Sequence, residues 1–203
     1  MSEATVNTTA TVPGWFGKLP SLGDFASRRL PEVFVRPWDR WLQRGLDAAR
    51  TQLGEHWLDV YLVAPVLRFW VAPGALGEQA WAGLMMPSVD RVGRHFPLTV
   101  ARPLQPLAAA LASHDWFAAL DGAARRVLDV EFTVEHFEAA LAALDAEPSP
   151  AIDAANMYVG TIPTILKFVK SGAVKCLLVT SAKRAPALPQ ATSLDELGLG
   201  KEE

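Results

Sequence analysis

WAGLMMPSVDRVGRHFPL, residues 81–98, breaks an apolar run into a charged, turn-rich segment and then resumes it. Residues 82–86 predict a buried strand and residues 96–100 another, which leaves 87–95 as the connection between them. A connection of that length needs internal order. Asp90, Arg91, Arg94 and His95 lie close together in it; Ser88 can bond local backbone, and Gly93 can take a positive φ. Asp90 and Arg94 stand four apart across Gly93, so Asp90 can accept backbone donors while Arg94 reaches a carboxylate, either Asp90 or Asp24. This constellation is the first candidate site.

Working outward, residues 59–63 and 66–71 read as further strands, and their close spacing implies antiparallel neighbours. Upstream, residues 15–20 read as a strand entering the turn Ser21-Leu22-Gly23-Asp24. A helix follows over 32–53, with Pro31 suited to its first turn and Gly54 to a cap beyond its end. Phe34, Trp38, Trp41, Leu42, Leu46 and Leu53 keep helical spacing on an apolar face, so Trp38 and Trp41 are expected in the core. Arg36, Arg40 and Arg44 recur at intervals of four and form a basic ridge.

Downstream, Ser113 can cap an alanine-rich helix carrying Trp116, Phe117, Leu120 and Ala124. Thr133 can cap a second with Phe137 and Leu141, ending before the loop marked by Pro148 and Pro150. A short helix over 161–170 and a strand over 174–180 complete the pattern, with a turn of helix capped by Ser193 and Glu196 in the tail. This order is not the alternation of a parallel doubly wound fold. It predicts a single α+β domain over 12–180: a mostly antiparallel β-sheet flanked by α-helices on both faces, between a disordered tail at 1–11 and a C-terminal tail at 181–203.

Half of the 203 residues are hydrophobic and a fifth charged, enough for one well-buried core. A net charge of -3 argues against a nucleic-acid partner held by bulk electrostatics. No stretch is apolar for long enough to predict stable membrane insertion, the N-terminus does not read as a signal peptide, and the single cysteine, Cys176, fits a reducing cytoplasm. Glycines Gly14 and Gly17 stand too close for a phosphate loop, and His56, His95, His114 and His136 are scattered one per segment. Neither a cofactor nor a metal site is expected.

Two polar constellations remain. Lys18, Asp24, Arg28 and Arg29 surround the Gly23 turn; Asp90, Arg91, Arg94 and His95 follow Ser88. In the plain structural reading each aspartate caps a turn or pairs with a nearby arginine. In the functional reading the two loops meet at one end of the sheet and present paired Arg and Asp side chains to a partner; spacing alone leaves both open. The arginine ridge suits carboxylates or phosphates, against the plainer reading of a solvated helix face. Ser88, Asp90 and His95 also permit a small hydrolase, provided His95 reaches Ser88, and a sheet with flanking helices permits a ligand-sensing pocket.

Four stretches together, GWFGKLPSLGDF, RPWDRWL, LGEHWLDVYLVAPVLRFWV and MMPSVDRVGRHFPLTV, resemble the TagF (ImpM) family of type VI secretion-associated proteins over residues 13–103. The family's motifs fall here on Gly17, Lys18, Pro20, Gly23, Asp24 and Phe25, on Trp38, Asp39, Trp41 and Leu42, and on Pro87, Ser88, Asp90, Gly93, Arg94, Phe96 and Pro97. The resemblance implies a bacterial cytoplasmic accessory protein without catalysis. It would repress assembly of the secretion machine post-translationally, by contacting its forkhead-associated scaffold protein. Residues 174–179 lack the tryptophans of many relatives' last strand and the tail is short, and no fused phosphatase domain is expected.

Overall fold

Alternation along the central strands sends side chains into two separate cores. In β4 (Ala80–Met86), Ala80, Ala82, Leu84 and Met86 enter one apolar cluster, while Trp81 and Met85 join the other. Its neighbour β5 (Leu98–Leu104) repeats the pattern: Leu98, Val100 and Leu104 on the first side, Ala101 on the second. The computed structural model describes residues 12–104, 114–129, 131–144, 157–160, 162–172, 175–179, 181, 183–193 and 196. Residues 1–11, Ser113 and the Pro148–Pro150 loop lie outside them.

Six strands form the sheet in the order β2-β1-β5-β4-β3-β6, with β1 at Gly14–Gly17, β2 at Ala26–Arg28, β3 at Leu67–Val71 and β6 at Met157–Val159. All neighbours are antiparallel except β3 and β6. Helix α1 (Glu32–Leu53) covers one face with Phe34, Trp38 and Leu42. Helices α3 (His114–Arg125) and α4 (Val134–Ala142) cover the other with Trp116, Phe117, Leu120, Phe137 and Leu141. The fold is α+β, with helices on both faces as the apolar stripes require.

Local signals account for the helix ends. Pro31 occupies the N-cap of α1, its carbonyl accepting from the amides of Phe34 and Val35, and Gly54 closes the helix with its amide on the carbonyl of Arg50. Thr133 caps α4, its hydroxyl and the His136 imidazole each bonding the other's backbone amide at 3.4 Å.

The expected strand at 59–63 is instead helix α2 (Trp57–Leu62), reached from α1 through a 3-10 turn at Gly54–His56. Alternating Leu58, Val60 and Leu62 imitates a strand, yet all three are exposed and Tyr61 alone is buried in α2. A short apolar run does not separate the two periods. Trp41 is a second correction. It is 40% exposed, against 2% for Trp38, because three positions along a helix carry it to the edge of the buried stripe. β5 begins at Leu98 and runs through Pro103 to Leu104; β1 pairs with it only as far as Ala101, so Pro103 lies beyond that ladder.

Past the sheet, α5 (Ile162–Lys170) packs Ile162, Ile165, Leu166 and Val169 against buried Val179, Ala185, Leu188 and Ala191 in a third, smaller cluster. Here β7 (Leu178–Val179) pairs in parallel with β8 (Thr192–Ser193) and does not join the main sheet.

Candidate functional site

The connection between β4 and β5 is ordered around one carboxylate. Asp90 Oδ1 accepts the amides of Val92 at 3.1 Å and Arg94 at 2.9 Å, while Oδ2 accepts Lys18 Nζ and Arg94 Nε, each at 2.7 Å. Gly93 permits the tight turn, since its φ of 85° brings the Arg94 amide back to Asp90. The backbone closes the same turn through Gly93 N to Asp90 O and Asp90 N to Arg94 O. Burial by itself would push the Asp90 carboxyl up; Lys18, the Arg94 amide and guanidinium and the Val92 amide together outweigh it and hold the group well below its ordinary range.

Lys18 comes from the other loop, so the two polar constellations meet. Arg94 Nη2 donates to the Gly23 carbonyl and lies 3.6 Å from Asp24, and the Arg91 amide donates to Leu22 O at 2.8 Å. Close approach explains Gly17, where a Cβ would stand 2.2 Å from the Pro97 carbonyl at a φ of 133°. Lys18, Gly23, Asp24, Ser88, Asp90, Arg91, Gly93 and Arg94 thus gather at one end of the sheet. Arg28 does not join them. It sits on β2, 3.9 Å from Glu138 of α4, which also binds Arg29 and the Trp15 indole. Burial raises the Glu138 carboxyl, and Arg29, Trp15 and Arg28 more than reverse that.

Ser88 is committed to structure. Its hydroxyl donates to Lys18 O at 2.7 Å, its amide donates to Tyr61 Oη at 2.9 Å, and Tyr61 Oη donates to its carbonyl at 2.8 Å. His95 instead stands edge-on to Trp57 and Tyr61. Among the described residues no hydrogen bond joins His95 to Ser88, so the hydrolase arrangement lacks its base at this serine. Tyr61 was not legible as a site residue in the sequence, yet its hydroxyl ties α2 to the loop; burial pushes that phenol up to about 12 against the Ser88 hydrogen bond. An aromatic one residue short of the helix end offered no signal for this role.

Along α1, Arg36 pairs with Glu32 at 2.7 Å in solvent, Arg40 is exposed and Arg44 half-buried. Among the described residues no group of three or more His, Cys, Asp or Glu side chains is placed to hold a metal ion, and no helix is long and apolar enough to cross a membrane. Two concavities border the site. A polar cleft of about 250 Å³ is lined by Lys18, Phe25, Asp47, Arg50, His95 and Phe96. An apolar groove of about 210 Å³ is lined by Trp41, Tyr61, Pro65, Met85, Pro87 and others.

The family model for the N-terminal domain of TagF, type VI secretion system-associated, matches residues 14–144, which hold the whole of this site. The chain belongs to the TagF family. A crystal structure of PA0076 from Pseudomonas aeruginosa PAO1 shares 48% identity with it at a TM-score of 0.64. That match covers 69% of this chain and 66% of PA0076. No curated protein matches. The TagF match ends at residue 144, so the α5 cluster lies beyond it.

Proposed function

We propose that this TagF-family chain is a cytoplasmic, non-catalytic accessory protein that represses type VI secretion post-translationally, by binding a component of the machine. The forkhead-associated scaffold protein is the partner that the family resemblance favours. One observation carries the reading: the Asp90 turn is fastened by buried Lys18 and by Arg94, while its outer rim exposes Phe25, Arg91 and Val92. A surface ordered before binding loses little conformational entropy on association. The rim also mixes an aromatic and an arginine, residue types enriched at protein interfaces.

The test is capture from bacteria expressing the secretion machine. Tagged chain should retain the scaffold protein under mild conditions, and Arg91→Glu together with Val92→Asp should release it while leaving thermal unfolding unchanged. Capture of no secretion component by the parent chain would overturn the reading. Unaltered capture by the double variant would move the interface away from this rim.

A further inference from the structure

The polar cleft beside the Asp90 turn has an unusual wall. Gln43, Leu46, Asp47 and Arg50, from the second half of α1, line the cleft together with Lys18, Phe25, His95 and Phe96. Four of these side chains carry nitrogen donors, and Gln43 already gives its amide to Asp39 at 2.8 Å. Lys18 Nζ spends one hydrogen on Asp90 and lies 4.7 Å from the centre of the Phe25 ring, which leaves it a donor beyond the fastener. The Arg50 guanidinium stacks 4.4 Å from the Trp57 ring, and its contact to Asp47 is long, 3.5 Å, with both groups in solvent. His95 is held in place by the edges of Trp57 and Tyr61 but makes no hydrogen bond among the described residues.

A polar ring fixed by aromatic packing, whose nitrogens make no hydrogen bond among the described residues, presents a donor or acceptor to whatever enters the cleft. Phe25 completes the geometry. It is 46% exposed, yet it is not loose: it stacks on Phe16 at an interplanar angle of 14° and meets the edge of Phe96 at 4.8 Å. An aromatic face stands at the lip and cationic donors stand below it.

We infer that this cleft is a recognition site for an acidic side chain on a peptide segment of a protein partner, with Arg50, Lys18 and His95 receiving the carboxylate and Phe25 stacking on an aromatic or apolar residue beside it. The inference rests on the reading of the chain as a protein-binding accessory and names the chemistry of one contact. Charge sign supports it at Arg50, whose carboxylate partner Asp47 is exposed enough to swing away when a better anion arrives, while Lys18 stays bonded to Asp90 and offers its remaining donor. Size supports it as well: about 250 Å³ accommodates one side chain and its neighbour rather than a cofactor.

Nuclear magnetic resonance on the full isotope-labelled chain tests it, with N-acetyl-Phe-Glu-amide, N-acetyl-Phe-Gln-amide and glutarate as probes. The glutamate peptide should shift the amides of Phe25, Gln43, Arg50 and His95 saturably, and the glutamine peptide should bind at least about tenfold more weakly, the loss expected for a charge-assisted hydrogen bond. Arg50→Gln, which sits at the rim, should weaken the glutamate peptide to a similar degree with unchanged unfolding. Equal binding of both peptides, or shifts elsewhere, would overturn the site. Glutarate binding as tightly as the glutamate peptide would also overturn it, since a free small acid would then be the ligand. In cells, Arg50→Gln should lose part of its capture of secretion components. If it binds no glutamate peptide yet captures those components fully, this inference fails and the proposed function stands. If the parent chain captures none, the proposed function fails whatever the peptides do.

Discussion

The Asp90 turn and the α1 arginine ridge use the same side chains to opposite ends. At the turn, one fully buried carboxylate meets Lys18, itself buried, and Arg94, whose tip reaches the surface. On the ridge, Arg36 and Glu32 form an equally short contact with both groups largely in water. Distance is therefore a poor guide to strength: a buried charge stripped of its partner has no solvent to replace it, and an exposed one has. What ranks the two regions is burial.

The most severe way to break that contrast is Lys18→Ala, which leaves Asp90 buried with Arg94 alone. We expect a loss of about 3–5 kcal/mol in denaturant unfolding, as for a buried pair deprived of one member. The acid limb should report the same group. The folded Asp90 carboxyl lies below its ordinary 3.8 while the unfolded one does not, so below that pH the unfolded state binds the additional proton and stability falls as pH falls. Asp90→Asn should flatten this limb. An acid limb identical to the parent's would show that Asp90 is not the fastener.

Trp38 and Trp41 make a comparison of similar size within one helix. Trp38 packs 4.6 Å from Phe69 and donates to Thr99 Oγ1 at 2.9 Å, so Trp38→Ala should cost about 3–5 kcal/mol. Trp41 borders the apolar groove and touches Trp38 at 5.0 Å, and Trp41→Ala should cost about 1 kcal/mol, near the value of an aromatic pair. Equal costs would mean that Trp41 is covered in solution.

Next in size stands Tyr61→Phe, which removes both hydrogen bonds to Ser88 and leaves its buried backbone groups without those partners. About 1–3 kcal/mol should be lost near neutral pH. The parent phenol is raised in the folded state, from 10.0 to about 12, so its contribution is complete below pH 10 and fades as pH climbs through 12. The variant should lack that alkaline decline; a variant that keeps it would assign the decline to another group. Smallest of all is Arg36→Ala, expected to change stability by about 0.5 kcal/mol or less and to vanish in high salt. A larger, salt-resistant loss would place the ridge among the structural ion pairs and erase the contrast.

Local chemistry made much of this legible. Pro31 and Gly54 bound α1 at the expected residues, Thr133 caps α4, and Gly93 lets Asp90 and Arg94 meet across a turn, because each depends on neighbours within about one helical turn or one loop. Apolar runs marked β3, β4 and β5, whose two faces carry different cores. The same signal misled at α2, where Leu58, Val60 and Leu62 face water.

The partners of these groups belong to the tertiary structure. Lys18 lies 72 positions from Asp90, Tyr61 lies 27 from Ser88, and Glu138 lies 109 from Arg29. No periodicity encodes such distances; antiparallel β1 and β5 bring Lys18 to Asp90, and the packing of α2 and α4 brings Tyr61 to Ser88 and Glu138 to Arg29. By itself the sequence determined the α+β class, both ends of α1, the start of α4 and the Asp90–Arg94 turn, because local propensity and side-chain period act over a few residues. Only the tertiary structure decided that Lys18 completes the charge cluster, that Tyr61 pins Ser88 and that Trp41 stays at the surface, since solvent exclusion is set by what the whole chain folds against each group.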